Sequence, residues 1–342
     1  MNQSAKRPDR GPQMDAFLQR IGKHGATRRM LAGDASFRRY ERVEHEGIIT
    51  VLMDAPPPWE DVRPFVSISQ RMEDAGVSVP RILAADEEQG FLLLEDLGDA
   101  VFTRVLAADP AQELTLYRAA VDALLVLQRD EQPQGAVGLY DRAVYLREVA
   151  LFAEWFLPQV VGMERARTLR AEWLEAWDAV LQTVPLQQRV LVHRDYHADN
   201  LLWLADREGH RAVGMLDYQD ALWGDAAYDL VSLLEDARRD VAADTVAECY
   251  ARFAAHQSED FASRYAVLGA QRNAKIIGIF TRLCVRDGKP HYLHYQPRVW
   301  AHFLHDLQHD ALAPVRAFIE AHVPAQWRGR FEADTSIGGI VV

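Results

Sequence analysis

One stretch of this chain limits its fold more than any other. VLV at 190–192 reads as a short buried strand, and His193-Arg194-Asp195-Tyr196-His197-Ala198-Asp199-Asn200 follows it directly. LLWL (201–204) and AVGML (212–216) come next, joined by the turn-rich ADREGH, and Asp217 is the first polar residue after them. Two apolar runs on either side of such a turn predict a β-hairpin with its midpoint near 207–209. Positions 200 and 217 then lie close to opposite each other at the open end. An amide oxygen and a carboxylate brought together in this way are hard donors, few in number. They suit a Mg2+ whose remaining ligands are phosphate and water. Asp195 sits five residues before Asn200, placed to take a proton from an attacking hydroxyl.

The surrounding sequence predicts an α+β architecture. After a short amphipathic helix near 13–23, strands are expected at 28–32 and 39–43 around Gly33-Asp34-Ala35-Ser36, and again at 48–53, IITVLM. Asp61 is expected to cap a helix in which Phe65, Ile68, Met72 and Ala75 recur at helical spacing. RILAAD and FLLLED, separated by EEQG, read as strand, turn, strand. Beyond 95–98 the character changes. Residues 110–129, 141–157, 165–183 and 226–322 are helical by period, apart from the β island at 190–216. The expected division is a disordered arm at 1–12, a small five-stranded unit with one helix at 13–96, and a larger mainly helical unit at 97–342.

Composition removes several alternatives. The formal net charge of -12 argues against a chain whose main task is gripping nucleic acid, which needs a basic face. No run of apolar residues is long enough to span a bilayer, and the N-terminal MNQSAKRPDRGPQ lacks the apolar core of a secretory signal. The two cysteines, Cys249 and Cys284, are far apart, so no disulfide framework or CxxC metal site is expected, and a reducing cytoplasm is the expected home. No G-x-x-x-x-G-K-[ST] occurs. His193 and His197 stand four apart but outside a helix, which argues against a zinc pair. The helical row His302, His305, His309 reads as a solvated face.

The segment 193–200 matches the kinase catalytic loop H-R-D-x-x-x-x-N in spacing and identity. With Leu216-Asp217-Tyr218-Gln219-Asp220-Ala221 and Gly224-Asp225 through Tyr228-Asp229-Leu230, residues 28–235 resemble the aminoglycoside phosphotransferase-like family of small-molecule kinases. That resemblance implies a protein-kinase-like bilobal fold, ATP and Mg2+. It implies Asp195 as catalytic base, and Asn200 and Asp217 as metal ligands. It also implies a phosphate-covering turn with Gly33 and Ser36, and a hinge at Glu95 and Leu97 that meets adenine through main-chain groups. Two departures separate the chain from protein kinases: Gln219 stands where those have a Gly, and eleven residues between Asp217 and Asp229 leave no room for an activation loop. Asp229 is expected to cap or brace the helix that follows it. Met53 occupies the third-strand slot where relatives carry a phosphate-pairing Lys, and the chain has 34 Arg but only 4 Lys. Arg38 and Arg39, just after the turn, are the expected substitutes.

GDASFRRY, VLMDAPP, GFLLLEDLGD, HRDYHADN, LDYQDALWGDAAYDLVSLLED and QRNAKIIGIFTRL are similar to blocks of the anomeric sugar kinases of peptidoglycan recycling. That group phosphorylates the C1 hydroxyl of N-acetylmuramate and N-acetylglucosamine with ATP. The implied partners are a small amino sugar and ATP, with no nucleic acid, membrane or obligate protein partner. For the acceptor, Arg286 and Arg298 are candidates for a sugar carboxylate, Trp155 for an aromatic face and Glu148 for hydroxyl acceptance. The alternatives are a kinase for an aminoglycoside, choline or hydroxy-amino acid, or an inactive kinase-fold binding module motivated by the missing Lys.

Overall fold

The computed structural model describes residues 9–33, 37–129, 137–187 and 189–340. Helix α1 (Gly11–Arg20) leads into strands β1 (Thr27–Gly33), β2 (Arg39–His45) and β3 (Ile48–Asp54). Helix α2 (Arg63–Asp74), strands β4 (Ile82–Asp86) and β5 (Phe91–Glu95), and helix α3 (Phe102–Ala108) follow. Next come α4 (Glu113–Leu127) and α5 (Arg142–Leu151), which passes through a π-helical turn, Phe152–Phe156, into α6 (Leu157–Val161), and then α7 (Met163–Thr183). Short strands β6 (Val190–Val192), β7 (Leu201–Trp203), β8 (Val213–Met215) and β9 (Leu222–Gly224) precede α8 (Ala227–Leu234) and α9 (Ala243–Ala254). The chain ends in α10 (Phe261–Val285), α11 (Gln296–Asp306) and α12 (Ala313–His322).

Two compact units result, Met1–Asp109 with Asp199–Asp220, and Pro110–Ala198 with Ala221–Val342. The first is built on an antiparallel sheet of order β1-β2-β3-β5-β4. Side chains directly opposite across a ladder share a face. The pairs Glu41↔Leu52 and Leu52↔Leu93 therefore send one set toward α1, where Met14, Phe17 and Leu18 pack on Val43, Leu52, Phe91 and Leu93. The pairs Tyr40↔Met53, Arg42↔Val51 and Val51↔Leu94 send the other set to the opposite face. The turn before β5 needs Gly90: its φ is +74°, and a Cβ there would meet the Ala55 carbonyl oxygen at 2.0 Å.

The expected boundaries shift in two places. The first eight residues of the expected arm lie outside the described residues, but Gly11 and Pro12 already belong to α1, and the Arg10 guanidinium donates to Asp54 Oδ1 at 2.7 Å. Residues 97–109 and the β7–β8 hairpin belong with the sheet rather than with the helices. The Met215 amide donates to the Ser78 carbonyl at 2.9 Å and the Trp203 amide to that of Ala100 at 2.8 Å, so the hairpin satisfies both its edges within this unit. The change in composition near residue 97 marks where long strands stop, not where the contacts stop.

The second unit is helical, with α10 buried along most of its length. Gly278 lets α10 reach the π-turn: a Cβ there would come within 2.5 Å of the Leu151 carbonyl oxygen. Strand β9, which pairs with β6, was not expected from sequence; three residues are too few to show a period. No helix among the described residues is long and apolar enough to cross a membrane. Both cysteines are buried and unpaired.

Candidate active site

Within the sheet unit a cavity of about 460 Å³ opens on the face away from α1. Tyr40, Val51, Phe65 and Leu94 give it apolar walls, the segment Glu95–Asp99 forms one rim, and Asn200 and Asp217 reach it from the hairpin. A largely apolar pocket of this size with a few converging polar groups fits a small-molecule ligand. The hairpin register pairs Leu201 with Met215, and the Leu216 amide donates to the Asn200 carbonyl at 2.9 Å. Asn200 therefore faces Leu216, the neighbour of Asp217, and the two positions stand close to opposite as expected. Asp217 adopts a left-handed backbone, φ +63°, at the point where the strand ends. Its carboxylate Oδ1 accepts from Gln219 Nε2 at 2.9 Å. Next to it, Tyr218 stacks on Phe65 with centroids 4.9 Å apart and shares a 2.7 Å hydroxyl hydrogen bond with Ser69, tying the end of β8 to α2. An amide and a carboxylate oxygen lining one cavity form a donor set that fits Mg2+.

The hinge segment is held by a residue that sequence reasoning missed. Arg42 on β2 donates to Asp96 Oδ2 at 2.6 Å and to both Asp99 oxygens at 2.7 and 2.8 Å. Hydrogen bonding to Arg42 holds the Asp99 carboxyl below the usual range. The signal was available: Arg42 alternates with Tyr40 on one strand face, and two aspartates lie in the loop opposite. Glu95 is occupied by Arg81 Nε at 3.0 Å and Arg207 Nη2 at 2.8 Å. Leu97 lines the cavity and packs where Gly214 lacks a side chain.

Met53 lies on the cavity face between Tyr40 and Leu92 and is buried. The two expected substitutes for its missing charge part company. Arg39 lies on the α1 face, opposite Asp54 and paired with Glu41, so strand alternation turns it away from the cavity. Arg38 stays near the turn with Glu60 at 3.5 Å, and the same Glu60 accepts the Phe37 amide at 3.0 Å. Gly33 closes β1, and Ser36 lies outside the described residues.

The loop carrying Asp195 belongs to the helical unit. Asp229, fully buried in α8, accepts the His193 amide at 2.7 Å and the Arg194 amide at 2.9 Å. It grips the preceding loop rather than capping its own helix, which corrects the sequence expectation. Arg194 sits at φ +76°, a conformation a bulky side chain adopts only when its surroundings enforce it. Asp225 is a buried structural anchor, paired with Arg264 at 2.8 Å and accepting the Gln187 amide at 2.9 Å. His193 stacks edge-on against Tyr196, and His197 Nε2 accepts from Arg238 Nη1 at 3.2 Å. His309 accepts the Ala311 amide through Nδ1, and no cluster of three metal-binding side chains occurs among the described residues.

Glu148 is not available to a sugar hydroxyl. It is buried, its Oε1 accepts from Arg194 Nη2 at 2.6 Å and Lys275 Nζ at 3.0 Å, and its Oε2 accepts from Gln271 at 3.1 Å and from the Tyr140 hydroxyl. Four donors fill the capacity of a carboxylate. The other acceptor candidates sit in separate settings. Trp155 lies in the π-turn under the chain's own C-terminal segment, where a Cβ on Gly339 would come 2.7 Å from the indole. Arg286 pairs with its neighbour Asp287 at 2.6 Å, and Arg298 with Asp240 Oδ2 at 2.9 Å.

Comparison with known proteins places this architecture. Residues 27–267 match the phosphotransferase enzyme family. A relative from Caulobacter vibrioides, named N-acetylmuramate/N-acetylglucosamine kinase, is 35% identical over 92% of this chain and 96% of its own. One of the same name from Pseudomonas aeruginosa is 41% identical over 78% of this chain and 80% of its own. Among solved structures, choline kinase LicA from Streptococcus pneumoniae superposes with TM-score 0.58 at 9% identity, over 88% of this chain and 98% of that one. The aminoglycoside phosphotransferase APH(4)-Ia gives TM-score 0.59 at 14% identity, over 86% and 98%. At such identities the shared property is the protein-kinase-like α+β fold.

Proposed function

This chain belongs to the phosphotransferase enzyme family, and from that premise we propose that it transfers the γ-phosphoryl group of ATP to the anomeric hydroxyl of N-acetylmuramate and N-acetylglucosamine. The P–O bond to the β-phosphate breaks, a bond forms between the C1 oxygen and phosphorus, ADP leaves, and the hydroxyl proton passes to Asp195. The product is the α-1-phosphate of the amino sugar.

The single observation that carries the phosphoryl-transfer part is the cavity in the sheet unit, where Asn200 and Asp217 meet apolar walls sized for a nucleotide base. Asn200 and Asp217 are the residues that would hold Mg2+. The bound ion supplies charge neutralisation for the phosphates. Arg42 fixes the Glu95–Asp99 rim, against whose main chain the adenine is expected to lie, and Leu97 fills its floor. Arg38 is the cation we assign to the phosphate side in place of a third-strand Lys. Asp195 is half-buried and five residues of chain ahead of Asn200. Burial pushes its carboxyl up, but Lys275, His197, Arg272 and His193 pull harder, and it lies below the usual carboxylate range, ready to accept a proton at neutral pH. Phosphoryl transfer asks little covalent work of a protein beyond this alignment and neutralisation.

A ³¹P spectrum of the product decides the acceptor atom. With ATP and either amino sugar a sugar 1-phosphate signal is expected. A 6-phosphate, or turnover of choline or an aminoglycoside with neither amino sugar consumed, overturns the assignment.

A further inference from the structure

Gln219 stands where protein kinases carry a glycine, and its side-chain amide lies between two carboxylates. Its Nε2 donates to Asp217 Oδ1 at 2.9 Å and to Asp220 Oδ2 at 3.4 Å. The side chain is half-buried, and its Oε1 is buried without a hydrogen-bond partner among the described residues. The neighbours fix the orientation of the amide, because a flipped amide would set its oxygen against two negative groups. A buried carbonyl oxygen left without a donor costs free energy, so local stability alone does not account for a glutamine here. What the residue gains is its grip on Asp217. That aspartate is exposed at the end of β8 and holds a left-handed backbone, φ +63°. We propose that Gln219 is a positioning residue of the metal site: its amide, braced by Asp220, holds the Asp217 carboxylate in the orientation in which it meets the Mg2+ of the nucleotide. The proposal rests on the assignment of Asp217 as a metal ligand.

Mg2+ tolerates little departure from octahedral geometry, so a ligand carboxylate has to be aimed before the ion arrives. Groups that hydrogen-bond to a ligating carboxylate do the aiming. The main chain around Asp217 is held on both sides. The Leu216 amide donates to the Asn200 carbonyl at 2.9 Å, and Tyr218 is stacked on Phe65 and bonded to Ser69. With the backbone held, the Gln219 amide acts on the end of the side chain, where the carboxylate is free to turn about its last torsion unless a donor stops it. The choice of donor also fits. A glycine has no side chain to offer. A lysine or arginine would grip the carboxylate as well, but its positive charge would oppose the cation. An amide is a neutral donor with two N–H groups, enough to bridge Asp217 and Asp220. It draws two like charges to one point and leaves their negative charge to attract the metal.

The test is Mn2+ binding to the full-length protein in the presence of ADP, read from the loss of the free-ion EPR signal. Gln219→Met keeps the length of the side chain and removes the donor. Mn2+ affinity is expected to fall about 10–100-fold, while ADP affinity measured by calorimetry without metal stays within about twofold of wild type. The Mg2+ concentration that half-saturates turnover should rise by a similar factor, with the rate recovered at high Mg2+, because the site is weakened and not removed. Mn2+ affinity within about threefold of wild type overturns the inference. So does an equal loss of metal-free ADP affinity, which would make Gln219 a structural part of the nucleotide pocket. If Gln219→Met fails to fold, Gln219→Ala, which also lacks the donor, is read by the same criteria. Wild-type Mn2+ affinity in Asp217→Asn would instead defeat the assignment of the metal ligand, so the two failures are distinguishable.

Discussion

Asp229→Asn isolates the grip that shapes the Asp195 loop. The wild-type carboxylate offers both oxygens, one to the His193 amide at 2.7 Å and the other to the Arg194 amide at 2.9 Å. An asparagine of the same shape offers one oxygen and one NH2, so one amide loses its acceptor and faces a donor. A buried N–H left unsatisfied costs about 1–3 kcal/mol. Arg194, held at φ +76°, stores a strain of about 1–3 kcal/mol that this grip and the Glu148 pair help to maintain. The two quantities are similar in size. The loop can therefore relax into an ordinary backbone conformation, regain its hydrogen bond to water, and leave the rest of the fold standing. The expectation is a small change in melting temperature and a large fall in kcat, about 100-fold for a displacement of roughly 1 Å at the proton acceptor.

The assay is initial-rate turnover at saturating ATP and amino sugar at pH 8, beside a thermal melt. A kcat within threefold of wild type refutes the grip. So does a loss of activity that only parallels unfolding. The same variant carries a pH signature. Burial pushes the Asp229 carboxyl up to about 7, helped by Asp195 and opposed by the two amides. Between about pH 4 and 7 the native state keeps a proton there that the unfolded chain gives up, so wild-type stability declines as pH rises through that window. Asparagine does not titrate, and the variant should lack that part of the decline.

Three further outcomes are expected. Asp217→Asn should lower kcat at least 100-fold and make ADP affinity, measured by calorimetry, insensitive to added Mg2+; affinity that still rises with Mg2+ places the metal ligand elsewhere. Arg38→Ala should raise the KM for ATP several-fold while Arg39→Ala leaves it near wild type, because Arg39 faces α1 and is paired to Glu41; the reverse order would show that the turn reshapes around the nucleotide. Gly278→Ala should destabilise the protein by about 1–3 kcal/mol, because the new methyl group meets the Leu151 backbone 2.3–2.5 Å away and backbone cannot swing aside as a side chain can; an unchanged melting temperature contradicts that packing.

The sheet unit was legible because its signals are local. Turn chemistry and period-2 runs placed all five strands, and alternation along β3 put Met53 on the cavity face, as the sequence reading supposed. The hairpin register was also legible: Leu201 pairs with Met215, which centres the turn inside the expected 207–209 and leaves 200 and 217 close to opposite. Arg39 was misjudged. Proximity to the phosphate turn suggested a role, but the strand's parity, settled by Tyr40 facing the cavity, assigns Arg39 to the other face. Arg42 was overlooked because its partners, Asp96 and Asp99, lie more than fifty residues away and the pairing exists only once β2 and the hinge meet.

Glu148 shows where residue-type reasoning fails in principle. A glutamate on an amphipathic helix near a supposed sugar site looks like a hydroxyl acceptor, and nothing local distinguishes that from a buried anchor. The distinction is an acceptor count. Each oxygen takes two donors, and the four that fill them come from α5's own approach, the Asp195 loop and two positions of α10. Three of those donors lie on segments that sequence order keeps 46 to 127 residues away. Once they are placed, the same carboxylate that cannot bind substrate becomes the point where a half-buried lysine of α10 and the Asp195 loop meet. A sugar hydroxyl would have to displace a charged donor to reach Glu148, and that exchange leaves a buried cation unpaired, a penalty of several kcal/mol against a gain of about 1 kcal/mol for a neutral hydrogen bond. Acceptor recognition must therefore be carried by other groups, and Glu148→Gln should act on kcat through Lys275 and Arg194 while leaving the KM for the amino sugar within about twofold; a KM raised tenfold at unchanged kcat would restore Glu148 to the substrate.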